Sequence, residues 1–82
     1  MRVNVTRADI NKGCPESVHF CPIARAVRRK GYKRVSVGNT ICIGQYGHGL
    51  REFDLPYTAM NFVDNFDAGE VVKPFSFTAV EL

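Results

Sequence analysis

The chain has 82 residues, 45% of them hydrophobic, with 11 Lys and Arg against 8 Asp and Glu for a net charge of +3. That length holds one folding unit, and an apolar content that includes six Phe and three Tyr excludes disorder, collagen-like repeats and low-complexity tails. No apolar run approaches the roughly 18 residues of a membrane span, and the opening MRVNVTRADINKG lacks the apolar stretch of a secretory signal, so a cytoplasmic protein with no membrane partner is expected.

Arg2 to Thr6 alternates Val3 and Val5 with polar residues, the period of a half-buried strand. Thr6 followed by Asp9 fits a helix-start box, and Gly13 is placed to end that short helix in the left-handed conformation. Cys14 to Phe20 reads as loop, with Pro15 and Ser17 as breakers. Pro22 then suits the first position of a helix whose face is Ile23, Ala26 and Val27, with Arg25, Arg28 and Arg29 projecting elsewhere and Gly31 as the stop. Such a helix is too short to be stable alone and must pack on a sheet. Val35 and Val37, then Ile41 and Ile43, flank Gly38-Asn39 as a tight hairpin with its four β-branched residues on one face.

Leu50 to Leu55 resumes the alternation as a third strand, and Pro56 opens a second main helix in which Ala59, Phe62, Val63 and Phe66 recur at core spacing before Gly69 ends it. Phe75, Phe77 and Ala79 alternate with Ser76, Thr78 and Val80 in a closing strand. The predicted fold is therefore a single α+β domain over residues 1–82, a mainly antiparallel sheet of four to five strands packed with two main helices. A chain this short buries only about 60 to 65% of its unfolded surface, so a homodimer is the expected assembly.

Charge is unevenly distributed. Residues 1–51 hold ten cations against two acids, and residues 52–82 hold one cation against six acids. Arg25, Arg28, Arg29, Lys30, Lys33 and Arg34 fall within ten residues, dense enough to raise a local positive potential after salt screening. An anionic partner is the first functional suggestion. The competing readings are a solvated helix face, or a dock for the acidic half of the same or a second chain.

Four further features bear on chemistry. Cys14, His19 and Cys21, with Cys42 or His48 brought in by folding, offer ligands of the type zinc takes. Zinc knuckles place ligands about two to four residues apart, whereas six residues separate Cys14 from Cys21 and small buried thiols explain the same positions, so no metal is expected. Cys14 and Cys21 are also open to a disulfide under oxidation, although three cysteines cannot all pair within one chain and reduced thiols are the expected state. Cys21 directly before Pro22 would sit at a helix N-terminus, which favours thiolate, but His19 lacks a third group to orient it as a base and a structural cap is the simpler role.

The loop Gly44 to Gly49 could bring backbone amides to a phosphate, with Tyr46 stacking on a base and His48 or Arg51 contacting oxygens. It lacks the ending of a P-loop and the order of a dinucleotide fingerprint, so no cofactor is expected, and a mobile hairpin tip is the alternative. Tyr32, inside the basic run, either stacks on a base or packs just after the helix cap. Phe62, Phe66, Phe75 and Phe77 sit at core spacing and are assigned to packing.

At Cys21-Pro-Ile-Ala-Arg-Ala26 the sequence resembles small accessory proteins of tailed bacteriophages. The likeness continues through Val3 to Thr6, Leu55-Pro56, Phe66 to Gly69 and Pro74 to Phe77. The resemblance implies phage origin and names no catalytic or binding residue. By analogy, an accessory protein of this size works by binding, blocking or sequestering a host component, which would place it in the host bacterial cytoplasm and suit a role in countering host defence. The leading expectation is a non-enzymatic binding protein for a nucleotide signal or nucleic acid, with Arg25, Arg28, Arg29, Lys33 and Arg34 supplying charge and Tyr46, His48 and Arg51 as further contacts. The alternatives are an inhibitor docking its basic face on an acidic host protein, and a cysteine- or zinc-dependent enzyme.

Overall fold

A computed structural model describes residues 1–45 and 49–82 of the chain. Strand β1, Arg2–Val5, buries Val3 and Val5 and exposes the residues between them. At its end Thr6 completes a reciprocal cap: the Asp9 amide donates to the Thr6 hydroxyl at 3.2 Å, and the Thr6 amide donates to the Asp9 carboxylate at 3.0 Å. Two of the orphan donors that every helix start leaves are thereby satisfied, and helix α1, Arg7–Lys12, follows.

Gly13 corrects one expectation. Its φ of −71° is not left-handed. A Cβ at this position would lie 2.7 Å from Pro22 Cδ and 2.8 Å from the Asp9 carbonyl oxygen, so glycine is needed for the close approach of α1 to the next helix and not for the turn. Gly13→Ala should cost about 1 to 3 kcal/mol through overpacking, read as a lower urea midpoint. An unchanged midpoint would show that the two helices separate without penalty.

Helix α2, Pro22–Arg29, starts where Cys21 Sγ accepts from the Ala24 amide at 3.4 Å with Pro22 in the first turn. It stops at Gly31, whose φ is +104°. Pro22, Ile23, Ala24, Ala26 and Val27 are buried. Strands β2, Val35–Val37, β3, Thr40–Gln45, and β4, Gly49–Asp54, form an antiparallel ribbon in which Val35 faces Ile43, Val37 faces Ile41, and Ile41 faces Phe53. All five side chains are buried, as the alternation requires. The β2–β3 turn is looser than a two-residue hairpin: positions 38–40 intervene between the paired Val37 and Ile41, and neither Gly38 nor Asn39 takes a positive φ.

Helix α3, Tyr57–Asp67, runs from Pro56 to a Gly69 at φ +80°. It buries Ala59 and Phe62, with Val63 and Phe66 half-buried beside them. Strand β5, Phe75–Thr78, pairs antiparallel with β1 so that Phe77 faces Val3. Phe75 connects it to α3: its ring centre is 4.7 Å from that of Phe62 and 5.5 Å from that of Phe77.

Residues 80–82 join the two ribbons. Asp54 donates its amide to the Val80 carbonyl at 2.8 Å, and the Leu82 amide donates to the Glu52 carbonyl at 2.9 Å. Ala79 meanwhile exchanges bonds with Met1 on the other side. Alternate residues of an extended chain point their backbone groups to opposite edges, so residues 79–82 bond Met1 on one side and β4 on the other. The fold is α+β, with three helices and antiparallel ribbons of two and three strands among the described residues.

Helix α2 contacts β1 and β2. Val3 of β1, Ile23 and Val27 of α2, Val35 of β2, and Ile41 and Ile43 of β3 belong to one hydrophobic core. Among the described residues no helix is long and apolar enough to cross a membrane.

Candidate functional site

The carboxylate of Asp9 is the anchor of the basic region. The capping box fixes its backbone, and packing of α1 on α2 buries it to 1% exposure. A buried carboxylate requires a counter-charge and hydrogen bonds. Arg29 supplies both, donating Nη1 to Oδ1 at 2.6 Å and Nη2 to Oδ2 at 2.9 Å, a planar two-point pair. Burial alone raises the Asp9 pKa, but the hydrogen bonds from Arg29 and Thr6 outweigh it and hold the carboxyl below its ordinary range. Arg29 is raised in turn by the bond to Asp9.

Arg25, one turn earlier, brings Nε to 3.8 Å from Asp9 Oδ1, too far for a hydrogen bond. That Nε is buried and has no hydrogen-bond partner among the described residues. Arg28 donates Nη2 to the His19 carbonyl and, at 3.4 Å, to the Val35 carbonyl of β2. Its guanidinium carbon sits over the Phe20 ring, 5.1 Å from the centre. Arg29 also donates Nη2 to the Asn4 carbonyl of β1 at 2.8 Å. Adjacent arginines of α2 thus reach strands of different ribbons, Arg28 to β2 and Arg29 to β1.

Spacing of three and four residues puts Arg25, Arg28 and Arg29 on one helix face. With Asp9 they line a shallow open cleft of about 370 Å³. The other expected contacts lie apart from it. Lys33 and Arg34 are exposed beyond the Gly31 turn; Arg34 takes φ +55° and lays its stem over Gly44. Arg51 is committed elsewhere, donating Nε and Nη2 to Glu81 at 2.9 and 2.8 Å and stacking over Phe53. That pair raises the Arg51 pKa and lowers that of Glu81. Tyr32 is half-buried against the core, so it packs after the helix cap. Tyr46 and His48 lie outside the described residues.

Compared with models of protein families, with curated proteins and with solved structures, the chain shows no match.

The cysteines do not converge. Cys14 is exposed, Cys21 buried and Cys42 half-buried, all three are free thiols, and among the described residues no three His, Cys, Asp or Glu side chains gather as a metal would need. Burial pushes the Cys21 thiol up, against the smaller opposing effect of the Ala24 and Ile23 amides. The helix start that would favour thiolate is overridden by desolvation, and Cys21 acts as a cap.

Two residues of the site escaped the reading of the sequence. Asp9 was legible as a cap and not as the counter-ion of a residue twenty positions on. Phe20, 58% exposed against Arg28, carries one available signal: a large aromatic at the end of a breaker-rich loop, outside any apolar period.

Proposed function

We propose that the chain is a non-enzymatic binding protein whose α2 face takes a phosphate-bearing ligand, a nucleotide signal or nucleic acid. One observation carries the reading. Three guanidiniums share a single cleft with a single carboxylate, and the buried Arg25 Nε has no partner there. A buried donor without an acceptor is unfavourable, and an anionic oxygen is the group that relieves it. Phe20 beside Arg28 adds a flat apolar surface suited to a base. The resemblance to phage accessory proteins fits this role and suggests action in the host cytoplasm against host defence.

A second reading is an inhibitor of an acidic host protein. It draws on the same region, where exposed Phe20 lies against Arg28 in a mixed apolar and cationic surface and Val18, two residues earlier, is also exposed.

Native mass spectrometry of freshly purified protein, followed by titration with nucleotides and a single-stranded oligonucleotide at two salt concentrations, separates these readings. Ligand binding predicts a retained or titratable nucleotide, or oligonucleotide affinity falling steeply between 50 and 200 mM salt as counterions are released. Absence of all three, with one host protein enriched in a nuclease-treated pull-down, would replace the proposal with the inhibitor reading.

A further inference from the structure

We propose that the α2 cleft selects a phosphomonoester dianion, the terminal phosphate of a nucleoside monophosphate, over a phosphodiester. The inference rests on the anion-binding reading above and names the ligand class of that site.

The charge count is the first argument. Three arginines share the cleft with one carboxylate, Asp9, which Arg29 holds in a two-point pair and Arg25 approaches at 3.8 Å, so two positive charges are left over. A phosphomonoester carries about 1.5 to 2 negative charges near neutral pH, whereas a diester carries one. The monoester balances the cleft and the diester leaves a cation over. Donor geometry agrees. Arg25 lines the cleft with a side chain 34% exposed and an Nε that has no partner among the described residues, and Arg28 binds the His19 and Val35 carbonyls through Nη2 alone. A terminal phosphate presents three oxygens to such convergent donors, and a diester presents two unbridged ones.

The layout also disfavours a polymer. A track for a nucleic-acid strand needs cations strung along the backbone. Here the charge is gathered at one point on α2, and Lys33 and Arg34 do not line the cleft. Phe20 does not line the cleft, but its ring lies against the Arg28 guanidinium, 5.1 Å from the ring centre, and is the aromatic surface that a base attached to that phosphate would meet.

Calorimetric titration tests this with adenosine monophosphate, its cyclic diester and a phosphoserine peptide, on the wild type, Arg25→Gln and Arg25→Lys, each checked by thermal midpoint. The monoester should bind at least about tenfold tighter than the cyclic diester, about 1.4 kcal/mol. Arg25→Gln should shrink that preference to about twofold or less, and Arg25→Lys, which keeps the charge but not the forked donors, should retain part of it. Equal affinity for monoester and diester would overturn the inference while leaving anion binding intact. A phosphoserine peptide bound as tightly as the nucleotide would overturn the nucleotide assignment. No binding by any of the three, nor by an oligonucleotide, would remove the reading beneath it.

Discussion

Asp9→Asn should destabilise the fold by about 2 to 4 kcal/mol at neutral pH, the range for breaking a buried ion pair on one side, discounted because Arg29 is half exposed. The substitution keeps size and shape, so the loss reports charge and hydrogen bonding. Arg29 loses its two-point acceptor and Arg25 its nearest anion, leaving three cations crowded on one face of α2. A domain of 82 residues has a total stability of about 4 to 12 kcal/mol, so the variant should sit close to its unfolding threshold.

The pH dependence has a definite sign. The Asp9 carboxyl is held below its ordinary value in the folded protein. A depressed acid stabilises the fold above its unfolded pKa of about 3.9, and the contribution disappears as pH falls through the lower folded value. Urea midpoints of the wild type should therefore decline below about pH 4, and those of Asp9→Asn should be flatter across the same window. Parallel acid profiles for the two proteins would show that Asp9 is not the titrating anchor.

Phe77→Ala should cost about 3 to 4 kcal/mol, within the range for emptying a buried phenyl site. Phe77 is 4% exposed, faces Val3 across the β1–β5 pair and stacks on Phe75. Its loss loosens the strand whose continuation at residues 80–82 holds the two ribbons together. For a domain of this size each kcal/mol moves the melting midpoint by about 4 to 8 °C, so a fall of at least about 12 °C is expected in a thermal scan. The control is Leu50→Ala, at a side chain 82% exposed, which should stay within about 0.5 kcal/mol. Equal losses at the two positions would mean that the face assigned to the core is wrong.

The local elements were legible because each is written in its own short stretch. Period-two alternation gave β1, β2, β3 and β5, and the Thr6–Asp9 box, Pro22, Gly31 and Gly69 marked helix ends at positions the structure confirms. What escaped is long-range. The pairing of β1 with β5 joins residues at opposite ends of the chain, Arg2 with Thr78 and Val5 with Phe75, and nothing in either strand names its partner. Gly13 was read through its usual helix-ending role, when the constraint came from a proline ring on another element.

The basic run shows the same limit in the candidate site. Its density was plain, but a count of charges does not reveal which are already engaged. Arg28 and Arg29 are tied to backbone carbonyls and Asp9, and Arg51 to Glu81, whereas Arg25 keeps an unpartnered nitrogen. Of the positions selected for charge, it is therefore Arg25 that separates ligand binding from folding most cleanly.

The closure of the sheet edges has a consequence for how copies of this molecule meet. An uncovered outer strand is a template for fibrillar growth and strand exchange. On β2 the Val37 amide is taken by the Val18 carbonyl and the Val35 carbonyl accepts from Arg28, while on β1 the Asn4 carbonyl accepts from Arg29. The arginines act as stoppers against edge-to-edge propagation. At these positions a crowded solution of this protein is thus steered away from strand-by-strand stacking.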